Sequence, residues 1–151
     1  MVNLSKKLLF AIEAVLDIAY NAGNQPVRSR EVTRRQGIPK RYLEQVLQQL
    51  VRAGILTGVR GPRGGYLLAR ERRRITVGEI ARIVDNSGDA DGPDHDPGSS
   101  ALGRKVIRPM WLEMEEKLMK GLDRITIEEL CMRANAVKIE NEADRRLDFT
   151  I

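Results

Sequence analysis

Apolar residues near the start of the chain recur in helical steps. Leu4, Leu8, Ile12, Val15 and Ala19 lie three or four apart, and Leu9, Leu16 and Ile18 widen the stripe, so an amphipathic helix is predicted over about residues 4–21. Asn21 to Pro26, with a glycine and a proline, ends it. A short helix fits Ser29 to Gln36, with Ser29 as its N-cap and Gly37 as its stop. After the turn Gly37-Ile38-Pro39, the residues Tyr42, Leu43, Val46, Leu47, Leu50 and Val51 share one helical face, and Gly54 closes that segment. Two helices across so tight a turn make a helix-turn-helix candidate.

The period then changes. Ile55 to Val59 and Gly65 to Leu68 are short and β-prone, and Arg60-Gly-Pro-Arg-Gly64 between them predicts a hairpin whose tip carries two arginines. A helix-turn-helix followed by a basic-tipped hairpin is a winged helix in outline. Thr76 and Glu79 have capping-box spacing and open a helix over about 77–84, with Val77, Ile80, Ala81 and Val84 turned inward. Asp85 to Ser100 holds five acids, no basic residue and much glycine, proline and serine, and reads as a loop. Beyond it Ile107, Met110, Trp111, Met114, Leu118, Leu122 and Ile125 return to helical steps, while Glu113 with Lys117 and Glu116 with Lys120 are i,i+4 pairs on the outer face. That seam is long for a small domain to cover alone. It makes Ile107, Met110, Trp111, Met114, Leu118 and Leu122 the candidate dimer contacts. Pro109 predicts a kink or a helix start. Thr126 and Glu129 form a second capping-box pair, opening a last helix to about Ala136, and the charged end to Ile151 should fray.

Charge divides the chain in the same place. Up to Val84 there are sixteen lysines and arginines against six acids, and from Asp85 onward ten against fifteen. A basic front and an acidic rear point to a polyanion-binding module, most simply for nucleic acid, with double-stranded DNA the partner that the winged-helix outline expects; a solvated basic surface is the plainer alternative. Apolar residues at 42% and charged residues at 31% suit a folded core rather than a disordered chain. The single cysteine forms no internal disulfide, no signal-type leader is visible, and a cytoplasmic protein is expected. The longest apolar run, Leu8 to Ile12, is far short of the ~20 residues that span a bilayer, so no membrane role is expected. Catalysis finds no support: GxxxxGK[ST] and HExxH are absent, and the one histidine and one cysteine lie far apart in sequence.

The candidate contacts follow. Lys40, Arg41, Tyr42 and Gln45 lie in the first turns of the second helix of the motif, where side chains reach base edges in the major groove; Tyr42 suits packing equally well. Arg60 and Arg63 flank Gly61 and Pro62 at the wing tip, a small rigid loop fit for the minor groove. Arg28 and Ser29, with Lys6, Lys7 and Arg30, are helix-end candidates for phosphates or simply solvated residues. Arg72-Arg-Arg74 is surface charge by default. Cys131 lies in line with Ile127, Leu130 and Ala134, the pattern of a buried small side chain more than of a redox thiol. His95, among Asp91, Asp94 and Asp96, reads as solvated rather than as a ligand, and no metal site or cofactor is expected.

Three segments carry a family resemblance: Leu43-Glu-Gln-Val-Leu47, Val59-Arg-Gly-Pro-Arg-Gly-Gly-Tyr-Leu-Leu-Ala69 and Ile75-Thr-Val-Gly-Glu-Ile80. They resemble the signature of the bacterial winged-helix regulators that include IscR, NsrR and CymR. The similarity runs from about Leu4 to Val84 and resumes over Trp111 to Leu130. It implies a homodimeric transcription factor whose long helix crosses to the partner and whose paired recognition helices and wings clasp a palindromic operator. Relatives such as IscR hold an iron-sulfur cluster with three cysteines and, in some, a histidine. Those positions correspond here to Pro93, Ser99, Lys105 and Arg108, none of which supplies the thiolate, imidazole or carboxylate that such a cluster needs, so no cluster is expected.

The fold expected is mainly α, a winged helix-turn-helix with a small β-hairpin wing and a long C-terminal dimerisation helix. Its parts are a DNA-binding domain over 1–84, an acidic loop over 85–103, the dimerisation helix and a following short helix over 104–137, and a charged tail over 138–151. The function expected is that of a sequence-specific transcriptional regulator, a repressor, without the cluster and open to a small-molecule or protein effector. An interaction or architectural protein that keeps the winged helix without specific DNA reading is the alternative.

Overall fold

The computed structural model describes residues 6–85 and 100–145. Helix α1 (Lys6–Asn21) turns Leu8, Ala11, Ala14, Val15 and Ile18 into the core. Of its predicted stripe, Leu4 lies outside the described residues. Leu9 is 47% exposed, so the apolar face is narrower than the sequence pattern suggests. Helices α2 (Ser29–Gln36) and α3 (Lys40–Arg52) follow across the predicted turn. Gly37 takes the left-handed conformation (φ 68°) and its N–H donates to the Thr33 carbonyl at 2.9 Å, while Ile38 is fully buried beneath the turn. Leu43, Val46, Leu47 and Leu50 of α3 are buried; Tyr42 and Val51, predicted on the same face, are at its exposed edge.

One acid interrupts the apolar side of α1. Asp17 is 2% exposed and receives Arg35 Nε at 2.9 Å, Arg35 Nη2 at 2.8 Å and Gln36 Nε2 at 2.8 Å. The fork pins the end of α2 onto α1. Its hydrogen bonds and charge hold the Arg35 guanidinium above its ordinary pKa, so this arginine is withdrawn from the basic surface. An acid inside a helical apolar stripe, with an arginine at the end of the next helix, was the signal for this pair.

The wing is an antiparallel hairpin of β1 (Leu56–Val59) and β2 (Gly65–Leu68), with Leu56 opposite Leu68 and Val59 opposite Gly65. Val27 adds a third rung: its N–H donates to the Tyr66 carbonyl at 2.9 Å and the Tyr66 N–H donates back at 2.8 Å. This pairing holds Arg28 extended, and Arg28 rather than Ser29 is therefore the N-cap of α2. The Glu31 carboxylate accepts the Arg28 N–H at 3.0 Å. Gly65 (φ 155°) lies so close to the Val27 backbone that a Cβ there would stand 2.5 Å from the Val27 carbonyl oxygen.

A 3-10 turn (Arg72–Arg74) leads to α4 (Val77–Asp85), whose buried residues include all four predicted ones. Helix α5 (Arg108–Asp123) leads to α6 (Ile127–Ala136). Of each predicted capping box the threonine half forms: Thr76 Oγ1 accepts the Glu79 N–H and Thr126 Oγ1 accepts the Glu129 N–H, each at 3.1 Å, while the Glu79 and Glu129 carboxylates accept from Arg70 and Arg133. The two caps are also joined, since the Val77 N–H donates to Ile125 O and the Ile127 N–H to Ile75 O, both at 2.9 Å. Ile127 and Cys131 complete the core.

Helical backbone begins already at residue 101, within the stretch read as loop. A π turn (Gly103–Ile107) runs into α5, and Pro109 sits in the first regular α turn. Pro109 has no N–H to donate, and the change from π to α bonding falls where that donor is missing. The tail is not wholly frayed. The Tyr20 hydroxyl donates to the Ile139 carbonyl, the Glu142 N–H donates to Asn21 Oδ1 at 3.0 Å, and residues 142–145 form a helical turn. The predicted frayed end at 146–151 and most of the acidic loop lie outside the described residues.

Replacing Asp17 by Ala should lower unfolding stability by about 3 kcal/mol, because Arg35 is left partly buried without its partner. Urea unfolding measures it; a loss below about 0.5 kcal/mol, the range of ordinary surface substitutions, would contradict the assigned role.

Candidate nucleic-acid interface

The motif and the wing are hydrogen-bonded into one unit. The Ile55 N–H donates to Leu50 O at 3.0 Å, and the Ala69 N–H donates to Ile55 O at 2.9 Å, so the end of α3 and the wing strands share a seam. On this frame Lys40, Arg41, Tyr42 and Gln45 are exposed along the first turns of α3. Lys40 Nζ lies 3.9 Å from Glu44 Oε1, a loose i,i+4 pair with Lys40 82% exposed. The Tyr42 ring lies 6.2 Å from that of Phe10, tilted by 51°, so it packs against α1 at its edge while 52% of the residue faces solvent. Both readings of Tyr42, packing and surface, have an observation behind them.

At the wing tip Arg60, Gly61, Pro62 and Arg63 are all exposed. Arg28 Nη2 donates to the Pro62 carbonyl, which ties the tip back to the start of α2. Arg28 thus has a structural task that its position in the sequence did not reveal. Ser29 is half-buried as the first residue of α2. Gln25, Pro26, Arg28, Glu31 and Arg63 line a groove of about 560 Å³ between the wing and the approach to α2.

Other basic residues are engaged elsewhere. Arg70 pairs with Glu79 at 2.6 Å, Arg73 with Glu71 at 2.5 Å, and Arg82 with Asp123 at 2.7 Å. The run Arg72-Arg-Arg74 is therefore not simply solvated charge. Arg72 interacts with Cys131 and opposes, without cancelling, the effect of burial, which pushes that thiol above its ordinary pKa.

Lys105 and Arg108 are exposed cations, the lone cysteine is buried in α6, and Pro93, His95 and Ser99 lie outside the described residues. Among the described residues, no three His, Cys, Asp or Glu side chains converge as metal ligands. No described helix is long and apolar enough to cross a membrane.

A helix-turn-helix bonded to a two-stranded wing defines a winged-helix DNA-binding protein. The profile of the Rrf2 family, described as "Iron-dependent Transcriptional regulator", matches residues 4–133, and the chain belongs to that family. It is 34% identical over 141 residues to the HTH-type transcriptional regulator IscR of Xenorhabdus nematophila, covering 93% of this chain and 86% of that one. It is 37% identical over 127 residues to IscR of Klebsiella pneumoniae, covering 84% and 78%. Among solved structures, T. potens IscR superposes with a TM-score of 0.73 at 31% identity, covering 91% of this chain and 92% of that one. CymR, the global cysteine regulator of B. subtilis, gives 0.68 at 26% identity, covering 88% and 98%. The protein is a DNA-binding transcriptional regulator, from a family of regulators rather than enzymes.

Burial makes Cys131 a poor nucleophile. Its reaction with a thiol reagent at neutral pH should be at least ~100-fold slower in the folded protein than in denaturant. Comparable rates in the two states would return Cys131 to the list of redox sensors.

Proposed function

We propose that the chain is a homodimeric, sequence-specific repressor that reads a palindromic operator and carries no iron-sulfur cluster. The observation that carries this reading is the exposure of Lys40, Arg41 and Gln45 on α3 together with Arg60 and Arg63 on the wing, while Arg35, Arg70, Arg73 and Arg82 are held in ion pairs. Lys40, Arg41, Tyr42 and Gln45 contact base edges in the major groove. Arg60 and Arg63 enter the flanking minor groove, where the negative potential is deepest, with Gly61 and Pro62 keeping the loop narrow. Arg28 spends one N–H on Pro62 and has others for a phosphate, beside Ser29 at the start of α2.

The dimer is supported by α5 and the π turn before it. Val106, Ile107, Met110, Trp111, Leu112 and Met114 are each 45–55% exposed and Leu118 is 39% exposed, an apolar face that the other described residues leave uncovered. Leu122 is half-buried against the core and anchors the C-terminal end of that face. An effector acting on these helices, as a small molecule or a partner protein, fits a regulator without a cluster better than oxidation of the shielded Cys131.

Selection of bound sequences from a random duplex pool tests the proposal. A palindromic consensus is expected, and random recovery would instead make the protein an architectural or interaction module. On the recovered site, replacing Arg60 and Arg63 together by Ala should cost about 2–6 kcal/mol, from two contacts of about 1–3 kcal/mol each; unchanged affinity at physiological salt would remove the wing from the interface. Protein purified without oxygen should be colourless and free of stoichiometric iron and sulfide. A brown, iron-loaded preparation would restore cluster sensing.

A further inference from the structure

Met119 and Leu122 of helix α5 pack against the core, whereas Met110 and Met114 of α5, and Leu102, Val106 and Ile107 in the stretch leading into it, are exposed. Sixteen residues of α-helix span about 24 Å, so a small rotation at the anchored end displaces the far end by several ångströms.

The anchor is unusually close. Gly78 of α4 is buried, and a Cβ there would stand 2.0 Å from Asp123 Oδ1 and 3.0 Å from the Asp123 backbone nitrogen. One turn further along the same face of α4, Arg82 Nη1 donates to Asp123 Oδ1 and Nη2 to Oδ2, each at 2.7 Å. The last residue of α5 therefore lies across one turn of α4, held by a two-pronged bond that fixes direction as well as distance. Hydrogen bonding to Arg82 also holds the Asp123 carboxyl below the usual range. Arg82 and Asp123 are 53% and 38% exposed, and exposed pairs add little to stability. Geometry is what such a contact can supply.

We propose that Gly78, Arg82 and Asp123 are positioning residues that set the angle of α5 against the winged helix, and through it the spacing between operator half-sites that the dimer accepts. The inference rests on the dimeric reading above. If the α5 faces join two copies, the angle at this anchor determines how far apart the two α3 helices and wings stand. Arg82 and Asp123 need not touch DNA to influence which DNA is bound.

The probes are the palindromic duplex recovered by selection, the same duplex with one or two base pairs added or removed at its centre, and a single half-site duplex. The unmodified protein should lose ~10-fold or more in affinity for each base pair of altered spacing, since each turns one half-site by about a tenth of a helical turn. Arg82→Ala and Asp123→Ala should flatten that discrimination to within ~3-fold, and the double variant should be no flatter than either, because both remove one interaction. Half-site affinity should stay within ~2-fold of the unmodified protein, as expected of residues remote from base and phosphate contacts. Arg82→Lys keeps the charge and loses the fork, and it should fold while showing part of the flattening. An unchanged spacing profile in Arg82→Ala and Asp123→Ala would overturn the proposal, and so would a parallel loss of half-site affinity. Failure to recover any palindrome would contradict the dimeric regulator itself.

Discussion

Ala11, Ala14, Val15 and Ile18 of α1 are wholly shielded from solvent, and α2, α3, α4, α6 and β2 all pack against that helix. Two of the four are alanines, which let neighbouring backbones approach closely while the branched side chains between them fill the remaining space. Burial of each large apolar side chain contributes about 1.5–3 kcal/mol, so this one helix is the common support of the elements around it. The helix-turn-helix, the wing and the α4–α6 layer keep a fixed relation because each packs on α1 as well as on its neighbours. The Asp17–Arg35 fork adds direction to that burial, since an apolar contact alone leaves α2 free to slide and rotate.

The distribution of arginines follows from the same frame. Basic residues that face another element find acids there: Arg35 meets Asp17, Arg70 meets Glu79 and Arg82 meets Asp123. Those at the start of α3 and at the wing tip project beyond the packed layer. Net charge over the front of the chain thus overstates the surface offered to a polyanion, and position relative to the core decides which charges remain for it. The Arg28 bond to the Pro62 carbonyl lies between the two groups, a surface cation used to hold the wing tip.

Periodicity and local chemistry made most of the fold legible. Helical steps located α1, α3 and α5, cap and stop residues located α2, α4 and α6, the Gly37 turn and the Gly-Pro wing tip were readable from residue type, and both threonine hydroxyls cap as their spacing predicts. What the pattern could not convey was the width of each buried face, so Leu9 and Val51 fell on the wrong side of the boundary and Tyr42 lies at its edge. The remaining differences arise from long-range contacts. Arg28 caps α2 because Val27 pairs with Tyr66; Arg35 is removed from the surface by a carboxylate eighteen residues away; the tail is held by Tyr20 and Asn21 from over a hundred residues away. The candidate interface was legible because exposed loop and helix-start residues need no distant partner to be placed. The α4–α5 anchor was not, because Gly78, Arg82 and Asp123 mean nothing together until the helices are packed.

The apolar side of α5 winds back into the π turn, and the other described residues leave it uncovered. A monomer exposing Ile107, Met110, Trp111 and Met114 to water would leave unused the burial that a second copy can supply. Sedimentation equilibrium at micromolar concentration measures this directly. Twice the chain mass of 17.0 kDa is expected for the unmodified protein, and monomer or insoluble chain for Leu118→Asp, which would bury an unpaired charge in the shared seam. A soluble, fully folded species of 17.0 kDa from the unmodified protein would contradict it.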